Sequence, residues 1–320
     1  MYLTPKLKKM SSNIPSVTVI LCTHKFVNYA EQQIISIKNQ INVEIKLVIS
    51  IDSDKKEIIQ MWVDLVETHF SKNNFKVLKG PKKGFSSNFI STLININDDS
   101  DYIAFSDHDD IWDSNKIYRA ICCIKKLKEN NLPILYGSKT KYIDENDKFL
   151  TLSNNISKPL TFRNALVQCF AGGNTMVFNN NLYSKIKKIG FVDVKSHDWW
   201  LYLVATAVEG KIIYDKNPYI SYRQHNNNIS GGNKGIRQVL IRIKSVLSGD
   251  YRVWNQNNIY YLQKNMNIIH MNNAKTLNEF IKIQNGNFYE RFFYYFKSGI
   301  YRQNFLENIA IFIFVLLKKI

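Results

Sequence analysis

The sequence has few cysteines, no long apolar run and a shortage of acidic residues, and each deficiency excludes a class of protein. Its four cysteines among 320 residues form no C-x-x-C pair and no zinc spacing, so we expect free thiols in a reducing compartment. No run of about 18 apolar residues is present, so no transmembrane helix is predicted. The first 16 residues contain lysines but no apolar stretch, so we expect no secretory signal and a cytoplasmic protein.

The shortage of acidic residues leaves a strong positive charge. There are 43 lysines and arginines against 26 aspartates and glutamates, a formal net charge of +17. Such a charge favours an anionic partner: nucleic acid, an anionic membrane face, or nucleotide-sugar and lipid-phosphate substrates. Biased use of lysine and asparagine would explain it without any partner. The basic residues are scattered and no zinc finger or RNP motif is present, so no nucleic acid is expected.

The composition and the apolar pattern indicate an α/β fold. A hydrophobic content of 45% and a charged content of 22% are typical of a folded globular protein, and the length allows one large or two ordinary domains. Short apolar runs, separated by helical patterns, indicate strands at 17–22, 44–51, 75–78 and 102–105. This alternation predicts a mostly parallel central sheet.

The fourth of these strands runs directly into three aspartates, Asp107, Asp109 and Asp110. Carboxylates crowded at the end of a buried strand repel one another unless a cation lies among them. Hard oxygen ligands favour Mg²⁺ or Mn²⁺, held by one or two acids and by the phosphates of a substrate. The alternative from the residues alone is an acidic turn that caps a helix beginning near Asp113.

The stretch Ser106-Asp-His-Asp-Asp-Ile-Trp112, with a strand before it and Asn115-Lys-Ile117 after it, resembles the metal motif of family 2 glycosyltransferases. It is most similar to the rhamnosyltransferase-like branch, in which glutamine usually stands at the position of His108. The resemblance covers roughly residues 15–232. It implies a GT-A fold, which is a Rossmann-like domain that binds a UDP-, dTDP- or GDP-sugar, and a Mn²⁺ or Mg²⁺ cofactor.

The resemblance divides the chain into a tail at 1–14, a GT-A domain at 15–232 and a C-terminal region of basic and aromatic helices at 233–320. The last apolar stretch, 309–317, is too short to span the roughly 30 Å of a bilayer's hydrocarbon and is followed by two lysines. We expect it to lie at an anionic membrane surface. The alternatives are packing on its own domain or on a dimer partner.

The resemblance also implies donor-binding roles for Thr23, Asp52 and Asn88, together with Asp107. Thr23 ends the first strand, where open α/β sheets bind ligands, and Asp52 follows the second strand. A carboxylate there can accept hydrogen bonds from a base or a ribose, although Ile51 replaces the first acid of the family pattern. Capping of the helices that follow would equally explain Asp52 and Asn88.

The stretch His197-Asp-Trp-Trp200 resembles the catalytic segment of inverting family 2 enzymes. It implies that Asp198 is the catalytic base, that His197 orients it, and that Trp199 and Trp200 pack on a sugar. A small-residue turn at Gly173 implies close approach of the backbone to the donor sugar or the acceptor. The alternatives are a helix N-cap for Asp198, core packing for the tryptophans and an ordinary tight turn.

The segment 218–231 resembles the Tyr-Arg-x-His ending of the family domain. The resemblance implies that Arg223 stabilises the leaving diphosphate with its planar fork of donors. It implies that His225 binds the same cation or the diphosphate. The alternative for His225 is an ordinary loop histidine.

Together these motifs imply an inverting, metal-dependent glycosyltransferase that moves a sugar from a nucleotide-diphosphate donor to a hydroxyl of a glycan or lipid-linked acceptor. The expected setting is bacterial surface polysaccharide synthesis, of O antigen or capsule, with the enzyme cytoplasmic or peripheral on the inner face of the cytoplasmic membrane. Departures at His24, Ile51 and His108 leave room for a catalytically degenerate partner subunit. A basic nucleic-acid-binding protein is the more distant alternative.

Overall fold

The structure, a computed structural model, describes residues 14–128, 131–224 and 244–320. Within these residues nine strands form one sheet. In chain order they are β1 Ser16–Thr23, β2 Glu44–Ile51, β3 Phe75–Lys79, β4 Tyr102–Ser106, β5 Ile111–Trp112, β6 Ile134–Ile143, β7 Phe149–Leu152, β8 Val177–Asn179 and β9 Lys211–Arg223.

The strands lie in the order β3-β2-β1-β4-β8-β6-β9-β5, and β7 pairs with β6. Strands β3, β2, β1 and β4 are parallel to one another, so their carboxyl ends meet at one edge. Strand β8 is antiparallel to β4 and to β6, whereas β6 and β9 are parallel. The expected α/β fold with a mostly parallel central sheet is confirmed.

Helices connect the parallel strands, as parallel pairing requires. Each of the first three helices follows one strand of the parallel half and leads to the next. The helices are α1 Ala30–Lys38, α2 Lys56–His69, α3 Phe85–Asn95, α4 Lys116–Lys125, α5 Phe162–Ala165, α6 Asn180–Ile189, α7 His197–Ala207, α8 Asp250–Lys264, α9 Met271–Asn285, α10 Phe288–Ser298 and α11 Phe305–Leu316.

Alternate residues of β1 face opposite sides of the sheet, as the two-residue period of a strand requires. Val19 and Leu21 join an apolar cluster with α1, α2 and α4. Ile20 and Cys22 join a second cluster with α3, α6 and α7. Both faces of the sheet are therefore covered, which is why the central strands β1 and β4 are mostly apolar on both faces.

The C-terminal helices pack on the second of these clusters. Leu277 and Phe280 of α9 are buried in it, as are Ile311 and Val315 of α11. The C-terminal region therefore shares an apolar core with the parallel sheet. In the part of the chain that the structure describes, no helix combines the length and the apolar character needed to cross a membrane.

Two segments fill in detail that the sequence leaves open. The short strand β5 follows the aspartates, and the next helix begins at Lys116. Polar residues from 138 onwards form an antiparallel hairpin of β6 and β7 up to Leu152. Polar residues take strand positions there because β6 is paired on both sides, which satisfies its backbone groups.

Candidate active site

A cavity of about 660 Å³ opens at the carboxyl ends of β1, β2 and β4. Parallel strands place the residues that follow them at the same edge, so segments distant in sequence meet here. The lining includes residues of all the predicted motifs up to α7: Thr23, Asp52, Asn88, Asp107, Asp109, Gly173 and Asp198. Trp199, Trp200 and Arg223, which were predicted to contact substrate, do not line the cavity in the part of the chain that the structure describes.

The aspartates after β4 crowd one side of the cavity. Burial, followed by the charges of Asp109 and Asp198, raises the pKa of Asp107 to about 7. Asp110 lies beneath the cavity floor and is fully buried, and burial also raises its pKa well above the ordinary value. Its Oδ2 accepts a hydrogen bond of 2.6 Å from Asn174 Nδ2. Asp107 therefore lies where repulsion between carboxylates calls for a cation.

A buried lysine lies behind these aspartates and was not predicted. Lys116 is 1% exposed, and its Nζ lies 3.3 Å from the centre of the Trp112 ring. Burial lowers its pKa well below the ordinary value, although Asp110 and Asp107 act in the opposite direction. The sequence signal was a lysine at the start of α4, within ten residues of an acidic cluster at a strand end.

Asp198 lies in the first turn of α7 with its carboxylate in the cavity lining. Its Oδ2 accepts a hydrogen bond of 3.2 Å from the Gly173 backbone N–H. Its Oδ1 accepts from the Trp199 backbone N–H at 2.7 Å and from the Ser196 hydroxyl. Two carboxylate oxygens offer about four acceptor sites, so one remains for a substrate hydroxyl. The carboxylate is thus held in one orientation and still has capacity to accept a proton.

His197 does not orient Asp198 by a hydrogen bond. Its ring stacks on Phe89 with centroids 4.0 Å apart, and its two nitrogens have no hydrogen-bond partner among the described residues. Burial lowers its pKa to about 4, opposed by the charge of Asp198. A Cβ added to Gly173 would overlap His197 Nε2. Glycine at this position therefore lets the turn lie against the histidine and donate to Asp198.

The residues predicted to bind the nucleotide-sugar donor also line the cavity, where they join the ends of β1 and β2 and the start of α3. The backbone N–H of Asp52 donates to the Thr23 carbonyl at 2.7 Å, and the Asp52 carboxylate accepts from the Lys82 N–H. The amide of Asn88 donates to the Ser50 carbonyl at 3.1 Å and accepts from its hydroxyl at 2.6 Å. The side chains of Thr23, Asp52 and Asn88 all line the cavity, where a nucleotide sugar could contact them. Their role in binding the nucleotide sugar remains a prediction.

Arg223 has a different environment from the one expected. It is 1% exposed and does not line the cavity. Its Nε donates to the Asp109 carbonyl at 3.2 Å, one terminal nitrogen donates to Gln32 Oε1 at 2.7 Å, and the other to Asp147. Its guanidinium lies 4.1 Å from the centre of the Tyr29 ring. Arg223 therefore holds the acidic loop from behind; contact with a diphosphate is not part of this arrangement.

Trp199 and Trp200 are placed in the core. Their side chains are 7% and 1% exposed, and neither lines the cavity. Trp199 Nε1 donates to the Ala165 carbonyl at 2.7 Å, and its ring stacks on Tyr251 of α8. Core packing, the alternative considered from the sequence, is the role that these contacts support. The spacing of apolar residues in α7 could not distinguish sugar contact from core packing, because α7 is apolar on nearly every side.

One wall of the cavity was missed by sequence reasoning. Ser138, Thr140 and Tyr142 alternate along β6 and line the cavity together with Ser153 and Asn154. The signal was their two-residue spacing, which puts them on one face of a strand. It was hidden because the segment is polar on both faces and so gave no apolar alternation.

The charges in the cavity fit a divalent cation. Among the described lining residues the charged side chains are four carboxylates, those of Asp52, Asp107, Asp109 and Asp198, and a single lysine, Lys25. In the ranges that the structure covers, no three histidine, cysteine, aspartate or glutamate side chains are grouped so as to hold a metal ion by themselves. His225, the expected third ligand, lies outside the described residues. Mg²⁺ needs only one or two carboxylates when substrate phosphates complete its shell, so Asp107 and Asp109 remain a suitable pair.

The fold and the site define a class of enzyme: a glycosyltransferase with a mostly parallel α/β sheet and an acidic cavity at its carboxyl edge. The family model for glycosyl transferase family 2 matches residues 18–186. The chain belongs to this family, and the resemblance inferred from the motif around Asp107 is confirmed. Enzymes of the GT-A fold commonly use divalent metals.

The comparisons with individual proteins agree with this assignment. The chain is similar to the dTDP-rhamnosyl transferase RfbG of Shigella flexneri, with 27% identity over 239 residues, which are 72% of this chain and 81% of that protein. Its fold is similar to that of S. aureus TarS 1-349 in complex with UDP-GlcNAc, with a TM-score of 0.51 and 14% identity over 77% of this chain and 71% of that one. Against another structure of S. aureus TarS 1-349, the match covers 65% of this chain and 60% of that chain, with 17% identity and a TM-score of 0.49. The GT-A fold expected from the sequence is confirmed.

Proposed function

We propose that the enzyme transfers a sugar from a nucleoside-diphosphate donor to a hydroxyl of an acceptor, with inversion at the anomeric carbon. One observation carries the proposal: Asp107 and Asp109, which follow β4, line the same cavity as Asp198, which begins α7 and is held by three hydrogen bonds. A cation site and a base have to flank the reacting sugar. The Asp107 and Asp109 pair could provide the first and Asp198 the second, because they lie on different elements that line one cavity.

Asp107 and Asp109 are the residues that would hold Mn²⁺ or Mg²⁺, with His225 as a further ligand from outside the described residues. The cation would supply neutralisation of the charge that develops on the departing diphosphate. The cavity otherwise has an excess of carboxylates over its lysine. A diphosphate would be repelled from such a lining without a cation, which supports metal dependence.

Asp198 is the proposed base. The acceptor oxygen forms a bond to the anomeric carbon while the bond from that carbon to the diphosphate oxygen breaks, and the leaving group takes the electron pair. Asp198 receives the proton of the acceptor hydroxyl. The hydrogen bonds from Gly173 and Trp199 fix its orientation, so that its remaining acceptor site is directed before substrate binds.

The donor proposed for the first test is a dTDP-activated rhamnose, because the similar Shigella protein bears the name of a dTDP-rhamnosyl transferase. Thr23, Asp52 and Asn88 are proposed to contact its nucleotide, since all three line the side of the cavity formed by β1 and β2. The proposed acceptor is a lipid-linked glycan of a bacterial surface polysaccharide. The β6 wall of hydroxyl groups and Tyr142 suits sugar hydroxyls and is proposed to receive it.

The donor class is tested by thermal shift with UDP-, dTDP- and GDP-sugars, each with and without Mn²⁺. We expect stabilisation by one nucleotide class that requires the metal and is lost in Asp109→Ala. The control is Asp101→Ala, which removes an exposed aspartate outside the cavity lining. If no donor stabilises the protein at any metal concentration, the chain is better explained as a catalytically degenerate subunit.

The base is tested with Asp198→Asn, which keeps the shape of the side chain and removes its basicity. We expect donor binding to be unchanged and transfer to fall by about 10²–10⁴-fold, the contribution of a general base. The measurement is transfer rate alongside metal-dependent thermal shift. Transfer at the wild-type rate would overturn the assignment of Asp198, whereas loss of donor binding would make it a donor ligand instead.

A further inference from the structure

The two last helices expose a continuous set of apolar side chains, which we call the α10–α11 face. Nine residues of these helices and Leu317, which follows α11, are at least 45% exposed; the ten are Phe288, Tyr289, Phe292, Phe293, Phe296, Phe305, Leu306, Ile309, Ile313 and Leu317. Large apolar patches of this kind mark interaction surfaces, because single exposed residues are normal but contiguous ones are rare. Five of the ten are phenylalanines or tyrosine from α10 alone.

Helical spacing puts these residues on one side of each helix. In α11, Phe305, Ile309 and Ile313 recur every four residues, while Ile311 and Val315 point into the core and are at most 2% exposed. Phe312 of α11 packs against α10. Its ring centroid lies 5.0–6.1 Å from the ring centroids of Phe292, Tyr295 and Phe296. The two helices are therefore packed against each other, with the apolar side of each turned to solvent.

The charges around the face favour an anionic partner. The segment 286–320 contains five basic and two acidic residues. Both acids are engaged within the protein: Glu290 closes the capping box at Asn287, and Glu307 accepts from Arg302 at 3.0 Å. Lys297 and Lys318 are exposed beside the apolar residues, and Lys297 Nζ also lies 4.0 Å from Glu279 Oε1.

The net charge of the whole chain argues against self-association through this face. Two copies that each carry +17 repel one another, whereas an anionic bilayer attracts both the lysines and the chain as a whole. Aromatic and aliphatic residues flanked by lysines are typical of helices that lie in the headgroup region. A lipid bilayer is thus the occupant that the composition of the face favours over a second copy.

The face is connected to the active-site cavity. Gln168 lines the cavity, its Oε1 accepts a hydrogen bond of 2.9 Å from the Gln303 backbone N–H, and its Nε2 donates to Glu307 Oε2 at 3.4 Å. Gln303 and Glu307 flank Phe305 and Leu306, which are 74% and 71% exposed. One end of the apolar face therefore adjoins the cavity wall.

We propose that the α10–α11 face docks the enzyme on an anionic lipid bilayer, with its aromatic side chains in the headgroup region and the cavity beside the surface. The helices lie on the membrane and do not cross it. The docked arrangement gives a lipid-linked acceptor a short path from the bilayer to the β6 wall. The docking itself does not depend on the proposed transfer reaction.

The experiment is co-sedimentation of the full chain, without donor, with vesicles of phosphatidylcholine alone or mixed with phosphatidylglycerol. We expect binding to the mixed vesicles and a fall of about 100-fold in the partition coefficient for the triple variant Phe293→Ser, Phe296→Ser and Phe305→Ser. The matched control is Ile35→Ser, Ile41→Ser and Met61→Ser, three exposed apolar residues outside the face, which should bind as the wild type does. Melting curves of both variants check that they are folded.

A second measurement needs no variant. Hydrogen exchange of the wild-type chain on mixed vesicles should slow in α10 and α11 and stay unchanged in α1. Equal vesicle binding by the triple variant and the wild type would overturn the proposal. So would wild-type chains that dimerise through this face and ignore vesicles, because the occupant would then be a second copy. Transfer to a water-soluble acceptor should be the same in the triple variant and the wild type, which separates this test from that of the transfer reaction.

Discussion

At the scale of single residues, neighbours in sequence have opposite environments. His197 is buried against aromatic rings and stays neutral, while Asp198 turns toward the cavity and accepts three hydrogen bonds. The residues packed on His197, namely Phe85, Phe89 and Phe105, carry no charge, and Asp198 alone opposes the effect of burial. The histidine thus packs next to the proposed base without a hydrogen bond to it.

The buried histidine predicts a pH dependence of stability. Its pKa is about 4 in the folded chain and about 6.5 when unfolded, so the unfolded chain binds the proton first. Above pH 6.5 the histidine has no effect on the free energy of unfolding. As pH falls from about 6.5 to 4, it removes up to roughly 3 kcal/mol. Urea unfolding of the wild type and His197→Leu across this range measures the difference between their slopes.

The comparison isolates one residue, because every other titrating group is common to the two proteins. We expect the wild type to lose stability faster than His197→Leu between pH 6.5 and 4, and the two curves to be parallel above pH 7. Parallel curves throughout the range would mean that His197 titrates normally in the folded chain.

Gly173 predicts a steric test at the same scale. A Cβ there overlaps His197 Nε2, so Gly173→Ala should shift the turn that donates to Asp198. A displacement of about 1 Å at a catalytic group lowers rates by about 100-fold, so transfer should fall while donor binding persists. The double variant Gly173→Ala, His197→Ala should recover part of the rate because the overlap is removed. If the double variant is no faster than Gly173→Ala, the glycine acts in some way other than by fitting against the histidine.

At the scale of elements, Arg223 at the end of β9 joins parts of the chain that are far apart in sequence. It contacts the carbonyl of Asp109, the side chain of Asp147 in the β6–β7 turn, and Gln32 of α1. A fully buried guanidinium needs such partners, since its charge is not solvated by water. The acidic loop is therefore supported by an arginine that is not part of the described cavity lining.

Arg223→Met is predicted to destabilise the protein and to loosen the metal loop. Asp147 is 48% exposed and stays solvated, so the cost is that of the lost charge-assisted hydrogen bonds of Arg223, about 1.5–3 kcal/mol. We also expect the Mn²⁺ concentration for half-maximal thermal stabilisation to rise, because Asp109 loses a contact to its backbone. The control is Lys46→Met, which breaks a surface pair with Asp99 and should unfold like the wild type. Unchanged stability together with lost donor binding would instead favour direct contact with the diphosphate.

At the scale of the whole molecule, a basic chain contains an acidic cavity. The net charge is +17, yet the described lining has four carboxylates and one lysine. The positive charge therefore lies mainly outside the cavity, where it acts on surfaces rather than on the donor. This distribution agrees with a metal-dependent site and a basic exterior.

The exterior charge predicts weak and non-specific binding to nucleic acid. A duplex DNA probe should bind no tighter than micromolar at physiological salt, with affinity that falls steeply as salt rises. The donor with Mn²⁺ should not displace it, because the two bind different places. Fluorescence anisotropy measures both effects. Nanomolar affinity at physiological salt would revive the nucleic-acid-binding alternative.

The amino-acid sequence by itself determined the order of strands and helices in the parallel half and the family of the enzyme. The strands at β1, β2 and β4 are apolar on both faces because helices cover the sheet on both sides, and that pattern is local. The aspartates after β4 and Asp198 were found from short motifs, since each motif lies on one element. The parallel pairing of β1, β2 and β4 brings the aspartates after β4 next to Thr23 and Asp52, whereas Asp198 lies on α7 and reaches the cavity through tertiary contacts such as the one with Gly173.

Only the tertiary structure decided what faces the cavity and what faces the core. The burial of Trp199 and Trp200 depends on α8, which is far along the chain, and the contacts of Arg223 depend on α1. The α10–α11 face likewise exists because Ile311 and Val315 point into the core and leave the other side of α11 exposed. Such choices rest on contacts between distant segments, so no local pattern of residues specifies them.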